Sequence, residues 1–235
     1  MTTSETAAAE ASETFRRARR PEQKQQRREE ILAAARELAL ADGVRSVSLA
    51  GIAALVGIDK SALLRYFETR EQIFLELVAR EWPAWVQALH DGLDGADLAS
   101  AGTAGPRPSL VADVVARSFG DRPLFCDLLA HTPLNLERNA SPEAVRGYKL
   151  ISLESVGEAA AVVQRVLPDL TDGECLEFIS TVASLAGSLW QIANPVPALA
   201  AMFAADPALA QACVDLAPRL RRTAEILLAG LIPSR

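Results

Sequence analysis

The stretch from Gly57 to Glu71, GIDKSALLRYFETRE, restricts what this chain can fold into more than any other segment. It follows an apolar-periodic run from Ser48 to Val56, and a turn at Val56-Gly57-Ile58 separates two short helical segments. On the second segment, Lys60, Ser61, Leu64 and Arg65 recur at offsets of four and five and share one face. Leu63 and Phe67, four apart, take the opposite face and point into a core. A short helix backed by a core and presenting two cations outward has the form of a major-groove reader, the second half of a helix-turn-helix.

Charge distribution agrees with that form although total charge does not. The 235 residues carry a net −6, which by itself argues against a nucleic-acid binder. Residues 14–70 hold 12 Lys and Arg against 7 Asp and Glu, a net of +5, whereas residues 71–235 sum to −8. A basic module attached to an acidic body is the pattern expected when one part faces DNA and the other does not. Half the residues are hydrophobic, enough to bury a substantial core. Cys126, Cys175 and Cys213 are odd in number and far apart, which indicates neither a disulfide framework nor a zinc site and suits a reducing cytoplasm. With His90 and His131 as the only histidines, no metal and no cofactor is expected. No stretch approaches eighteen uninterrupted apolar residues and the N-terminus lacks a basic-then-apolar signal pattern, so no membrane partner is expected.

The pattern predicts an all-α chain. Residues 1–23 read as a disordered tail ending in a basic arm of Arg16, Arg17, Arg19 and Arg20, continued by Lys24, Arg27 and Arg28. A first helix is expected from about Lys24 to Ala41, with Ile31, Ala35 and Leu38 buried and Gly43 as its stop. Ser48 caps the next, Asp59 the third, and Thr69 with Gln72 has the form of a capping box for the fourth. That fourth helix should kink or break at Pro83 and end near Leu89. Residues 91–109, with four Gly and two Pro, read as a loop. Further helices follow: Asp121 to Ala130, Ser141 to Leu167, Thr171 to Ala193 behind a Thr171–Glu174 capping box, and a last region from Asp206-Pro207 to Leu231, bent at Pro218.

ILAAARELALADG followed by SLAGIAALVGIDKSALLRYFETREQIF resembles the N-terminal domain of TetR-family bacterial transcriptional regulators over roughly Arg27 to Leu77. Ile31, Gly43, Ile52-Ala53, Gly57, Lys60, Leu63, Tyr66-Phe67 and Arg70-Glu71 carry the resemblance. It implies a three-helix helix-turn-helix domain over 24–88 and a larger helical effector-binding and dimerisation domain over 89–235. It also implies site roles. Ser48, with Ala50 beside it, would meet a phosphate; Lys60, Ser61, Leu64 and Arg65 would face the major groove. Tyr66 would offer its hydroxyl to the DNA backbone and Arg70 would clamp a phosphate. Two positions depart from the family pattern: Ala62 replaces a usual hydroxyl residue and Leu64 a usual aromatic. Leu64 then either packs on a thymine methyl or turns into the core.

For the body, the resemblance implies a homodimer through C-terminal helices, with Ser180, Ala183, Ser184, Gly187, Leu220, Ile226 and Leu227 as candidates. It also implies a cavity for a small, mostly apolar effector. The candidates there are Trp82, Trp85, Phe119, Phe125, Cys126, His131, Asn135, Tyr148, Phe178, Trp190 and Gln191. Effector binding would move the fourth helix and change the separation of two reading heads, releasing a repressor from a palindromic operator. Catalysis is not expected, because no Ser-His-Asp set, phosphate loop or His-Glu metal motif occurs. The alternative is a helical homodimer that acts through protein partners with weak or lost DNA binding; Ala62 and Leu64 are the residues that favour it.

Overall fold

The computed structural model describes residues 3–94, 107–212 and 214–232, with side chains from residue 22 onward except 210 and 211. Helix α1 (Thr3–Asp42) is longer than the periodicity predicts, because Ala, Glu, Gln and Arg fill its first half and favour helix without any apolar stripe. The expected disordered tail is therefore helical from Thr3; the side chains of Arg16, Arg17, Arg19 and Arg20 lie outside the described residues. Gly43, at φ +80°, ends α1 and leads into a 3-10 turn, Val44–Ser46.

The head continues with α2 (Leu49–Val56) and α3 (Lys60–Leu63). Ser48 caps α2 by accepting the Gly51 N–H at 3.1 Å. Gly57, at φ 73°, closes it: its own N–H reaches the Ala54 carbonyl and the Ile58 N–H reaches Ala53, a left-handed stop that a side chain would strain. Asp59 occupies the cap position of α3 but makes no side-chain cap bond, contrary to expectation. Ile31, Leu32, Ile52, Leu63, Phe67 and Phe74 are buried together beneath these helices. Burying each such side chain stabilises the head by roughly 1.5–3 kcal/mol.

Helix α4 (Arg70–Asp94) belongs to head and body alike. Half of the expected capping box forms: Thr69 accepts the Gln72 N–H, while the Gln72 side chain takes the Glu68 N–H rather than that of Thr69. The helix runs through Pro83 without a break and past Leu89, because its buried residues, Trp82, Trp85, Val86, Leu89 and Leu93, hold the turns on both sides. The expected loop at 91–109 lies mostly outside the described residues, and its flanks close α4 and open α5 (Arg107–Gly120).

The body consists of α5, α6 (Pro123–His131), a π-turn at Thr132–Leu136, α7 (Pro142–Val166), α8 (Asp172–Ala193), α9 (Pro197–Ala205), a 3-10 turn at Pro207–Ala212 and α10 (Leu216–Leu231). Arg122, not Asp121, stands at the α6 cap. Pro218 lies in the first turn of α10, where a missing N–H costs nothing, so it bends no helix. Ser141 caps α7, and the Thr171–Glu174 box opens α8 as its spacing predicts. α4 packs on α7, α5 on α10, and α8 against α6, α7 and α10. α8 is long and apolar enough to cross a membrane by composition; in this fold Cys175, Phe178, Ile179, Val182 and Ala186 spend that apolarity on its three neighbours.

Candidate functional site

The candidate reading face is assembled by a helix too short to be stable alone. α3 has one turn, and its end tightens through Arg65 N–H to Ala62 and Tyr66 N–H to Leu63. Leu63 and Phe67 anchor it in the core. Lys60, Ser61, Leu64 and Arg65 are left pointing outward, with Leu64 42% exposed, so Leu64 does not join the core. Lys60 and Arg65 have no ion-pair or hydrogen-bond partner among the described residues, whereas most other cations of the head are paired. Ser48 and Ala50 are exposed at the start of α2, and the Ser48 hydroxyl, while capping, keeps its own proton to donate.

Arg70, expected as a phosphate contact, and Arg28, expected in the basic arm, are both fastened inside the head. Arg70, its side chain 17% exposed, donates to the carbonyls of Val44 and Val47, pairs with Glu71 at 3.0 Å and lies 4.6 Å over the Phe74 ring. Its guanidinium closes the turn between α1 and α2, so it is not an open phosphate clamp. Arg28, expected in the basic arm, donates to the Tyr66 carbonyl at 2.6 Å, pairs with Glu76 and covers the Phe67 ring at 4.1 Å. It thereby holds the end of α3 against α1 and α4. Arg27 pairs with Glu30, while Lys24 is exposed. Tyr66 itself is partly buried against the core.

The aromatic residues expected as pocket walls divide. Trp85, Phe119 and Phe125 are buried against one another, with Trp85 stacked on Phe119 at a ring separation of 4.6 Å and donating its indole N–H to Ser118 at 2.9 Å. They are the core of the body. Phe178 and Cys126 are buried with them, and burial followed by the neighbouring Asp127 charge pushes the Cys126 thiol up to about 12. A thiol held in that way stays protonated near neutrality. Trp190 is partly buried at the edge of the core. Trp82 and Tyr148, by contrast, line an open groove of about 470 Å³ between α4, the π-turn, α7 and α8. Leu153, Ser180, Ala183 and Ser184 complete its walls. The Trp82 indole N–H is buried there next to the Tyr148 hydroxyl but meets hydrogen-bond geometry with no described residue, and burial raises the Tyr148 hydroxyl above its ordinary pKa against the opposing pull of Trp82.

The candidate dimer residues divide as well. A Cβ on Gly187 would come within 2.7 Å of the Ala130 backbone nitrogen, so this glycine permits the close approach of α6 and α8 within one chain. Ala183 and Leu220 are buried inside the same chain. Ser180 and Ser184 are exposed, with their hydroxyls turned back onto the carbonyls of Leu176 and Ser180, and Ile226 is 56% exposed on α10. Leu227 is partly buried.

Three residues expected at the ligand meet at the joint between head and body, around a residue the sequence reading passes over. Asp127 on α6 is 8% exposed and accepts the Val44 N–H at 2.7 Å and the Gln191 amide at 2.7 Å, with His131 Nε2 at 3.4 Å. Burial pushes its carboxyl pKa up, but His131, the Val44 N–H and Gln191 outweigh burial and leave it below the ordinary value. His131 and Asn135 border a crevice shared with Arg45 and Arg70. An Asp inside the apolar run LFCDLLA is the only signal that would have found this joint.

A short outward-facing helix with unpaired cations, held on a small helical head and continued by one long helix into a larger helical body, defines a helix-turn-helix regulator class. Two family models agree: one described as bacterial regulatory proteins, tetR family, matches residues 31–77, and one described as tetracyclin repressor-like, C-terminal domain, matches residues 79–235. The chain belongs to the TetR family of transcriptional regulators. No curated protein matches its sequence. Among solved structures it is similar in fold to the TetR-family regulator PfmR of Thermus thermophilus, at 20% identity and TM-score 0.52, covering 87% of this chain and 99% of that one. It is similar also to T. thermophilus FadR, a transcriptional repressor solved with lauroyl-CoA, at 19% identity and TM-score 0.52, covering 88% and 96%. The fatty acid degradation regulator FadR of Bacillus halodurans aligns at 15% identity and TM-score 0.51, covering 87% and 95%.

Proposed function

We propose that this regulator binds a palindromic operator as a cytoplasmic homodimer and is a repressor released by a small, mostly apolar effector. The observation that carries the reading is the outward face of α3, where Lys60 and Arg65 stand unpaired among the described residues beside Ser61 and Leu64. An unpaired Arg can donate two bonds to a guanine, and Leu64 can pack on a thymine methyl. Ser48 donates to a flanking phosphate. The dimer surface runs along α8 at Ser180 and Ser184, which also edge the groove, and over Ile226 of α10, because Ala183, Gly187 and Leu220 are already covered; a partner seated there closes the open side of the groove. The effector site is the groove of Trp82 and Tyr148: its walls are largely apolar, and the Trp82 N–H asks for one hydrogen-bond acceptor on the ligand. An acyl thioester such as the lauroyl-CoA held by T. thermophilus FadR is the first compound class to try.

Selection of binding sites from random DNA tests the reading. An inverted repeat should emerge, with affinity that falls steeply as salt rises, and Arg65→Ala should weaken it about tenfold or more. Recovery of no sequence preference would favour the second reading, a dimer acting through protein partners, to which the exposed Leu55 and Leu64 on the head are the relevant surface.

A further inference from the structure

α4 is the helix that runs unbroken from head to body, and a single helix fixes where the head sits better than how it is turned about that axis. Orientation needs a second attachment away from α4. α6 supplies it, by packing on α1 and on the turn Val44–Ser46. At that contact Asp127 crosses the joint directly: it bonds the buried Val44 N–H, the first donor of the turn that follows α1. The same carboxylate is held from behind by Gln191 near the end of α8, the helix whose Ser180, Ala183 and Ser184 wall the groove. The turn is in turn gripped by Arg70 through the Val44 and Val47 carbonyls, one residue before the Ser48 cap of α2. The path from groove wall to the cap of α2 is therefore short: α8, Gln191, Asp127, Val44, Ser48.

We infer that Asp127 is the positioning residue that fixes the head on the body and so sets the half-site spacing the dimer accepts. Its bond to the backbone makes the geometry strict, because a carboxylate clamped by Gln191 and His131 offers Val44 one position only. The inference rests on the regulator reading above. Neither Asp127 nor Gln191 touches the outward face of α3, so their loss should change spacing preference rather than base preference.

The test uses the full chain and the inverted repeat recovered by selection, with one base pair added to or removed from the centre. Wild type is expected to lose about tenfold or more in affinity for the altered spacing, since half-sites rotate about the duplex as they separate. Asp127→Ala is expected to lose less than about threefold while preferring the same half-site bases. Asp127→Asn, which keeps an oxygen for the Val44 N–H, should recover most of the discrimination. Should Asp127→Ala fail to fold, Gln191→Leu gives the same readout: it frees the carboxylate from α8, and the spacing penalty should fall to about three- to fivefold. An undiminished penalty in either variant, or a wild type indifferent to spacing, overturns the inference. A wild type that selects no DNA overturns the regulator reading, and this inference with it.

Discussion

Head and body use the same material, helices packed on helices, but they employ their polar residues differently. In the head, guanidinium groups bind the backbone: Arg28 holds the end of α3 and Arg70 closes the turn after α1, while Lys60 and Arg65 stay outward and unpaired among the described residues. In the body, stability rests on rings stacked out of water, and the exposed Ser180 and Ser184 of α8 turn back onto their own helix. A small head cannot bury enough apolar surface to hold a one-turn helix by packing alone, so charged hydrogen bonds to carbonyls do part of that work. The larger body uses the same device more sparingly, with Arg122 donating to the Ala84 carbonyl at 2.9 Å.

The largest expected effect that would break this comparison lies at Trp85. Truncation to Ala should destabilise the chain by about 4 kcal/mol, read by urea denaturation, since it removes a stacked ring and leaves Ser118 without its indole partner. A loss below about 1 kcal/mol would mean that Trp85 is a pocket wall and not core. Next comes the contrast between two arginines of the head. Arg70→Ala should cost about 3 kcal/mol through the two orphaned carbonyls, whereas Arg65→Ala should leave stability within about 0.5 kcal/mol and weaken only DNA binding. Equal melting losses in the two variants would erase the distinction between fastening and reading arginines.

A third and smaller effect belongs to α8. Gly187→Ala should destabilise the protomer by about 1–3 kcal/mol by pushing α8 off the Ala130 backbone, while Ser184→Ala should not. If Gly187→Ala instead changed only the monomer–dimer equilibrium in sedimentation, this glycine would face a partner chain. The smallest effect is that of pH on the joint. Because the Asp127 carboxyl is depressed in the folded chain, it stabilises above its unfolded value, and that gain is lost as pH falls through the folded value. The stability advantage of wild type over Asp127→Asn should therefore be full near neutrality and shrink below about pH 4. Urea midpoints of both proteins across pH would reveal it, and a gap constant with pH would show that the charge of Asp127 contributes nothing.

The head is legible in the sequence because its signals are local. Ser48, Gly57 and the four-residue recurrence of Leu63 and Phe67 each act within one or two turns, and all three are seen in the fold. The body is legible as helices but not as a site. Trp82 and Trp85, three residues apart on one helix, read alike, yet Trp82 reaches the groove and Trp85 the core, a choice made by α5 and α7 and not by α4. Ala183 and Gly187 read as a surface for a second chain for the same reason: small residues permit close approach without naming the helix that approaches.

Gly57 to Glu71 thus determined by itself where the chain turns, which side of α3 is buried and that Lys60, Ser61 and Arg65 look outward, since helix periodicity and a left-handed glycine need no distant partner, while Leu64 was placed outside only by the fold. Tertiary structure alone decided which cations of the head stay unpaired among the described residues. Arg28 and Arg70 were drawn inward by carbonyls left unpaired at the end of α3 and after α1, and a buried carboxylate on α6 was placed against the head. Those partners lie between 23 and 83 residues away in sequence, beyond the reach of any local pattern, and only the packing of the helices brings them together.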